Sequence, residues 1–413
     1  MTPVKVYPTK LYMRFMGRLA FYLFTRWHGI KGKVPREVKN LKSPYLLLGN
    51  HAGFWDPFVV GYFLPRFTHF VSSDAAFRSP FFRFFLTRLG TIPKKKNIRD
   101  TKVIRDIAAV IRQGENVGLF PEAVRNWAGE TQKMDKSIAK LVRMLKVPVI
   151  IAVMKGMNLF HPRWSRKIRR TKLEIDYKLL FENVNFESIS EDEIFDELNK
   201  AMYHNEIELQ RHRMSKIHSK CKAEFINHTL YVCPECLAID SFAVRGDNFN
   251  CRACGYDIHI NDYGFFERIS PGTLHFDNIL DWFKWEEKWM IGFIYDKIDR
   301  EFKGLILEDK GSAIYFSDTD SDLESIGTAD LKLFIDRIEI CFTSKEETLI
   351  LNFKDLQTIN PQVNEKLEIF YNNKAYRAIG AYDGVSALKW EVAVNAIWKR
   401  LGMDFKLSPY INI

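Results

Sequence analysis

The chain has 413 residues, of which 46% are hydrophobic and 27% charged; this excludes a largely disordered polypeptide and calls for two or three domains instead of a single core. Its 61 Lys and Arg against 51 Asp and Glu leave a net charge of +10, so an anionic surface, lipid or nucleic acid, suits it better than a cationic one.

The first element in chain order is LYMRFMGRLAFYLFTRW, Leu11 to Trp27. Arg14 and Arg18 interrupt it short of the ~20 apolar residues that a spanning helix needs. Lys10, Arg14 and Arg18 share one helical face, and Phe15, Met16, Leu19, Tyr22, Leu23 and Trp27 spread over the others. That pattern suits a helix lying in a bilayer interface, and equally a helix docked on its own domain. Residues 1–30 are expected to form an amphipathic interfacial helix. Neither a cleavage site nor a clean apolar signal core follows, and the six cysteines suit a reducing compartment. A cytoplasmic protein, peripherally attached to the cytoplasmic face of a membrane, is the expectation.

From residue 31 to 216 short apolar runs alternate with amphipathic stretches. PYLLLGN, THFVSSD, NVGLFPE, VPVIIAV and KLEIDYKLLF read as strands, and TKVIRDIAAVIRQG and SIAKLVRMLK as helices. Such alternation predicts an α/β domain with a mostly parallel sheet, whose sites collect at the carboxyl ends of strands. His51 lies at one such end, and Pro121 and Glu122 at another.

His51 and Asp56 are the residue types of a general base and the carboxylate that orients it. Five positions apart, they can meet only across a loop-to-helix turn, and Asp56-Pro57 has the signature of an N-cap followed by a first helical position. On these two residues alone, a helix cap with a histidine upstream is the commoner arrangement.

Further motifs shift that balance. NHAGFWD (Asn50 to Asp56), GTIPKKK (Gly90 to Lys96), FPEAVRN (Phe120 to Asn126) and VPVII (Val147 to Ile151) come in order. Together they resemble the four motifs of the glycerolipid acyltransferase family, which includes 1-acylglycerol-3-phosphate acyltransferases. The resemblance implies transfer of a fatty acyl group from an acyl thioester, acyl-CoA or acyl carrier protein, to the hydroxyl of a lysolipid. It makes His51 the base and Asp56 its partner, and places Asn50, Lys96, Glu122 and Arg125 at the substrate. Glu122 and Arg125 match the positions associated with the polar glycerophosphate part of the acceptor. Three departures bear on the acceptor. Lys96 stands where the family has arginine, which loses a planar fork, and Ala123 and Val124 replace a glycine and a threonine. They leave room for the alternative of a non-catalytic, lipid-binding zinc-ribbon adaptor. A basic run, Arg163, Arg166, Lys167, Arg169, Arg170 and Lys172 around Trp164, suits an anionic membrane surface, an acyl carrier protein or coenzyme A phosphates, and is also what a solvated face looks like.

Residues 226–260 carry two CxxC pairs, Cys233 and Cys236 with Cys251 and Cys254, which resemble the knuckles of a zinc ribbon. Four thiolates in this spacing suit a structural zinc with no open coordination position; two disulfides or a rubredoxin-type iron are the alternatives. The ribbon is not strongly basic, so nucleic acid ranks last among partners.

In residues 261–413 an aromatic helix comes first, with Trp282, Trp285 and Trp289 on one face, suited to packing between domains or, less so, to membrane insertion. The strand-like runs KGLILED, SAIYFSD, DLKLFID, RIEICFT, TLILNF, KLEIFYN and KAYRAIGAY follow, then the helical VSALKWEVAVNAIWKRL. That order resembles a pleckstrin-homology-like β-domain and implies a docking role without chemistry.

Overall fold

A computed structural model describes residues 6–77, 79–94, 101–122, 124–318, 323–344, 346–362 and 364–407. The chain divides into two compact units, one of Met1–Pro162 with Arg169–Ser215, the other of Arg163–Ile168 with Lys216–Ile413.

Among the described residues, the first unit is built on a seven-stranded sheet: β1 (Lys31–Lys33), β2 (Leu46–Gly49), β3 (Thr68–Ser73), β4 (Ile92–Lys94), β5 (Asn116–Leu119), β6 (Val149–Lys155) and β7 (Glu174–Phe181). They lie side by side as β1-β7-β6-β2-β5-β3-β4. The five strands from β6 to β4 are mutually parallel, whereas β7 runs antiparallel to β6 and carries β1 parallel to itself. The helices are α1 (Leu11–His28), α2 (Arg36–Asn40), α3 (Asp56–Tyr62), α4 (Pro80–Arg88), α5 (Thr101–Arg112), α6 (Ser137–Leu145), α7 (Met157–Phe160), α8 (Glu191–Met202) and α9 (Glu206–Arg213).

The apolar runs of β2, β5 and β6 are buried as central parallel strands must be. Leu46, Leu48, Val117, Val149 and Ile151 pack with Val103, Ile107 and Val110 of α5, Ile138 and Val142 of α6, and Ile194 and Leu198 of α8. Each helix gives one stripe to this core. Because β2 lies between β5 and β6, the loops leaving the carboxyl ends of β2 and β5 emerge side by side.

The helix α1 docks by part of its surface. Phe21 stacks on Phe58 and Phe24 on Trp55, with ring centroids 5.2 and 4.9 Å apart, so one side packs on α3. Met13 is buried as well, but several other apolar residues face outward, Leu11 at 80%, Phe15 at 71% and Trp27 at 81% exposure. Among the described residues no helix is long and apolar enough to cross a membrane.

The second unit holds a small antiparallel sheet, ordered β11-β10-β9-β8, of β8 (Phe242–Arg245), β9 (Asn248–Cys251), β10 (Asp257–Ile260) and β11 (Phe266–Arg268). The long helix α10 (Ile279–Asp299) follows. Then come β12 (Leu307–Ser317), β13 (Glu324–Leu333), β14 (Arg337–Phe342), β15 (Thr348–Asn352), β16 (Leu356–Pro361), β17 (Lys366–Tyr371) and β18 (Lys374–Ile379), and the closing helix α11 (Leu388–Arg400). Their order is β15-β14-β13-β12-β18-β17-β16, antiparallel throughout. Two expected strands, KGLILED and SAIYFSD, are one, because a register shift between Asp309 and Ser312 lets β12 continue through its polar centre. Conversely β16, LQTINP, is a strand that the sequence hid among polar residues.

Of the three tryptophans of α10, Trp282 is spent on packing. It is fully buried among Phe242, Phe249, Tyr256 and Phe266, and its indole donates to the Val232 carbonyl at 3.1 Å.

Of the expected basic run, Arg163 and Arg169 are buried, whereas Arg166, Lys167, Arg170 and Lys172 are exposed. Arg163–Ile168 belong to the second unit, where Arg163 is buried and donates to the Pro361 carbonyl at 2.8 Å. Arg166 holds Glu365 at 2.7 Å, and Lys167 holds Glu224 at 3.1 Å. Guanidinium groups brought near buried acceptors are consumed by them.

Candidate active site

The chain leaves β2 at Gly49, makes a short loop through Asn50 to Trp55, and enters α3 at Asp56. Asp56 does not cap that helix, as its sequence context suggested: Trp55 takes the N-cap position and no side chain caps the helix. One residue inside the helix start, the Asp56 side chain tilts back over the loop. Its Oδ2 accepts from the amides of Ala52 at 2.8 Å and Gly53 at 2.9 Å, and Oδ1 accepts from Gly53 at 3.0 Å. Nδ1 of His51 lies 2.8 Å from the same Oδ2. Asp56 has no exposed side-chain surface, whereas His51 keeps 24% of its own open. A carboxylate only accepts, so the facing Nδ1 carries the hydrogen and Nε2 is left with its lone pair.

The His51 backbone is held from the β5 side. Its amide donates to Oε1 of Glu122 at 2.6 Å, and the other oxygen, Oε2, accepts from the Gln132 amide at 2.7 Å. The His51 carbonyl accepts from both the amide and the side chain of Asn126, at 2.9 and 3.1 Å. Glu122 is fully buried. Burial pushes its carboxyl up to about 8, with the two amides pulling the other way and the Asp56 charge adding to the rise. Both oxygens of Glu122, expected at the acceptor, are thus engaged by backbone amides. Asn50, likewise expected at the substrate, is buried; its side chain donates to the Met154 carbonyl at 3.2 Å and accepts from the Met154 amide at 2.8 Å, so it fastens the loop to β6. In both cases the side chain satisfies backbone groups that a loop beneath the surface would otherwise leave unpaired.

The His51 ring stacks on Phe120, with centroids 4.8 Å apart and planes at 20°. Gly49 makes room for this: a Cβ there would stand 2.9 Å from the Phe120 ring.

Arg125 is close enough to Asp56 for the carboxylate to favour its charge, against the burial that lowers its pKa. Two residues that sequence reasoning missed belong to this neighbourhood. Asn126 closes the quoted third motif, but nothing local marks it as a brace. His161, far along the chain, is brought near Arg125 and Asp56 because α7 lies against the His51 loop. Lys96 and Ala123 lie outside the described residues, and Val124 is placed with its amide on the Glu122 carbonyl at 2.6 Å.

In the second unit the sulfurs of Cys233, Cys236, Cys251 and Cys254 all lie within 4.8 Å of one another. Cys233 and Cys254 are 3.7 Å apart, as are Cys236 and Cys251. Four thiolates held about 2.3 Å from one ion in a tetrahedron would stand roughly 3.8 Å apart, so the donor set and its spacing fit a metal. Each knuckle folds alike. The amides of Leu237 and Gly255 donate to the carbonyls of Cys233 and Cys251, at 2.8 and 2.9 Å, and both residues take positive φ, 62° and 75°.

A buried, amide-clamped carboxylate against a partly open histidine at the carboxyl edge of a parallel sheet defines the class, an α/β domain with a candidate His–Asp site at its strand ends. Residues 30–155 match the protein-family model described as Acyltransferase. The chain is 26% identical over 121 residues to a 1-acyl-sn-glycerol-3-phosphate acyltransferase of Borreliella burgdorferi, covering 29% of this chain and 48% of that protein. It is 22% identical over 156 residues to the 1-acyl-sn-glycerol-3-phosphate acyltransferase of Saccharomyces cerevisiae, covering 36% and 51%. The chain thus spans about half the length of these curated relatives. Among solved structures, the 1-acyl-sn-glycerophosphate acyltransferase PlsC of Thermotoga maritima is similar with a TM-score of 0.40 and 15% identity, covering 49% of this chain and 79% of that one. The family-model match and the curated relatives support the acyltransferase family for residues 30–155.

Proposed function

We propose that this chain transfers a fatty acyl group from an acyl thioester, acyl-CoA or acyl carrier protein, to the hydroxyl of a lysophospholipid such as 1-acylglycerol-3-phosphate. The observation that carries the reading is the 2.8 Å contact between His51 Nδ1 and the buried, amide-clamped carboxylate of Asp56. His51 Nε2 takes the hydroxyl proton as the oxygen attacks the thioester carbonyl, and Asp56 stabilises the imidazolium. The tetrahedral adduct collapses, the C–S bond breaks, and the imidazolium returns the proton to the departing thiolate, leaving an ester and a free thiol. The thioester is already activated, so placing the alcohol and stabilising the oxyanion supply most of the acceleration.

The outward apolar residues of α1 support a peripheral seat on an anionic, cytoplasmic membrane face. The four cysteines would hold a structural zinc that adds no chemistry, in a ribbon, and the seven-stranded sheet with its buried closing helix supports a pleckstrin-homology-like docking domain.

The test is thiol release from oleoyl-CoA with and without 1-oleoylglycerol-3-phosphate. Release that requires the lysolipid and disappears in a folded His51→Ala variant is expected; equal release by variant and parent overturns the assignment.

A further inference from the structure

Asn205 caps the helix α9 through its Oδ1, which accepts from the amides of Ile207 at 3.0 Å and Glu208 at 3.1 Å. The cap fixes Glu206 as the first helical residue, and Glu206 is 2% exposed. It binds two separate segments of the first unit. Its amide donates to the Gly129 carbonyl at 2.8 Å, and its Oε2 accepts from the Gly156 amide at 2.9 Å. The approach to Gly129 requires a glycine there: φ is 89°, and a Cβ would stand 2.8 Å from the Glu206 Cβ.

Both segments lead to His51. The Gly129 amide donates to Oδ1 of Asn126 at 3.0 Å, and Asn126 holds the His51 carbonyl with its amide and its side chain. Further along the same segment, the Gln132 amide holds Glu122, which accepts from the His51 amide. Thr131 between them exchanges bonds with His204, its amide donating to the His204 carbonyl and its Oγ1 accepting from the His204 amide, both at 2.9 Å. On the other side, Gly156 is the N-cap of α7, and Met157 next to it lies against the His51 loop, since a Cβ added at Gly53 would meet its sulfur at 3.2 Å.

Glu206 is not explained by the bonds its carboxyl group makes for itself. Oε1 is buried without a hydrogen-bond partner, and beyond the Gly156 amide Oε2 has only Nε2 of His204, at 3.5 Å. Burying a polar oxygen in this way costs free energy that filling the space with an aliphatic side chain would not. What the carboxyl group provides is an acceptor at the start of α7.

We propose that Glu206 is a positioning residue for His51. It ties the segment carrying Asn126 and Gln132 to the start of α7, and thereby holds the His51 loop from two sides. It acts through Asn126, Glu122 and Met157 and takes no part in proton transfer. The role of His51 itself rests on the acyl-transfer reading above.

The experiment compares two variants of the full chain: Glu206→Leu, which fills the space and loses the acceptor, and Glu206→Gln, which keeps an oxygen for the Gly156 amide. With oleoyl-CoA and 1-oleoylglycerol-3-phosphate, Glu206→Leu is expected to lower kcat about 10- to 100-fold with KM for the lysolipid changed less than about threefold. Glu206→Gln should restore kcat to within about threefold of the parent. Hydrogen exchange on the resting chain gives a readout without turnover. The bonded amides of His51, Gly53, Phe160 and His161 should exchange about tenfold faster in Glu206→Leu, while those of α5 keep the parent rate. If leucine does not fold, Glu206→Asp, one methylene short of the Gly156 amide, takes its place with the same expectations. Unchanged kcat, a loss confined to KM, or equal losses in the leucine and glutamine variants overturns the proposal. So does exchange that is unchanged at the His51 loop, or that rises equally in α5, which would make Glu206 a general stability residue. If the parent turns over no acceptor, the acyl-transfer reading fails, while the exchange rates still decide whether Glu206 holds the loop.

Discussion

The amide of His51 donates to Oε1 of Glu122 at 2.6 Å, so the residue proposed as base is fixed through its backbone by a carboxyl group from the neighbouring strand end. A side chain that touched the acceptor would be read in KM; one that holds the base is read in kcat. Glu122→Gln keeps one acceptor and turns an amide group toward the other N–H. It is expected to lower kcat roughly 10- to 100-fold with KM for the lysolipid changed less than about threefold. Steady-state kinetics on the folded variant decide it, and a loss confined to KM would return Glu122 to the substrate.

Asp56→Asn tests the proposed orienting contact. An asparagine can offer its oxygen either to the amides of Ala52 and Gly53 or to His51, and its NH2 group then faces whichever donor remains. If the loop keeps the oxygen, Nδ1 of His51 must become an acceptor and the proton moves to Nε2, the wrong nitrogen for a base. The expected fall in kcat is about 10²- to 10⁴-fold. The ring's tautomer, observed by 15N NMR with labelled histidine, should change in step; an unchanged tautomer with full activity would contradict the assignment.

Gly49→Ala follows from packing. A methyl 2.9 Å from the Phe120 ring must push it, and that ring is the surface on which His51 stacks. Roughly a tenfold loss of kcat is expected, about 1.4 kcal/mol of misplacement. Phe120→Leu on the Gly49→Ala background should recover part of it by making room, whereas two independent, additive losses would separate the two positions.

How far these relationships could be read in advance depends on the kind of signal. The apolar runs of β2, β5 and β6 and the stripe Val103, Ile107, Val110 announce a buried parallel sheet because period and burial are written in residue type. The direction of β7 is not written there: an alternating strand reads the same whether parallel or antiparallel. The polar strand β16 was lost because Asn360 and Thr358 dilute its apolar face. At the site, the types and spacing of His51 and Asp56 were legible, and the helix start was legible to within one residue. The inward turn of Glu122 and Asn50 was not, since it depends on how deep the loop lies and which backbone groups need partners. His161 carried no local mark at all, because its place is set by α7 packing on a loop a hundred residues earlier.

The cysteine module and α10 share a core through Trp282, and the amides of Tyr231 and Val232, just before the first knuckle, are held by the buried Glu286 at 2.9 and 3.1 Å. Removal of a structural metal should therefore be felt at Trp282. A strong chelator is expected to release about one zinc per chain, and to red-shift a fluorescence component that Trp282→Phe lacks. Zinc release with no change at Trp282 would show that the aromatic core folds without the ion.

Glu365 gives the second unit a predicted acid limit. Its side chain is 7% exposed and accepts from His228 at 2.8 Å, from the Gly384 amide at 3.0 Å and from Arg166 at 2.7 Å. Burial alone would raise its pKa, but the bonds from His228 and Gly384 outweigh that and hold it at about 2. A carboxyl depressed in the folded state contributes stability that is complete above its unfolded value, about 4.5, and is lost as pH falls toward about 2. The unfolded chain binds the proton first, so acid favours unfolding throughout that interval. Screening reduces the ideal figure, leaving on the order of 2 kcal/mol. Glu365→Gln should accordingly lower the urea midpoint of the second unit at pH 7 and flatten its decline between about pH 4.5 and pH 2.5. A variant that declines with acid as steeply as the parent would place the acid sensitivity in other carboxylates.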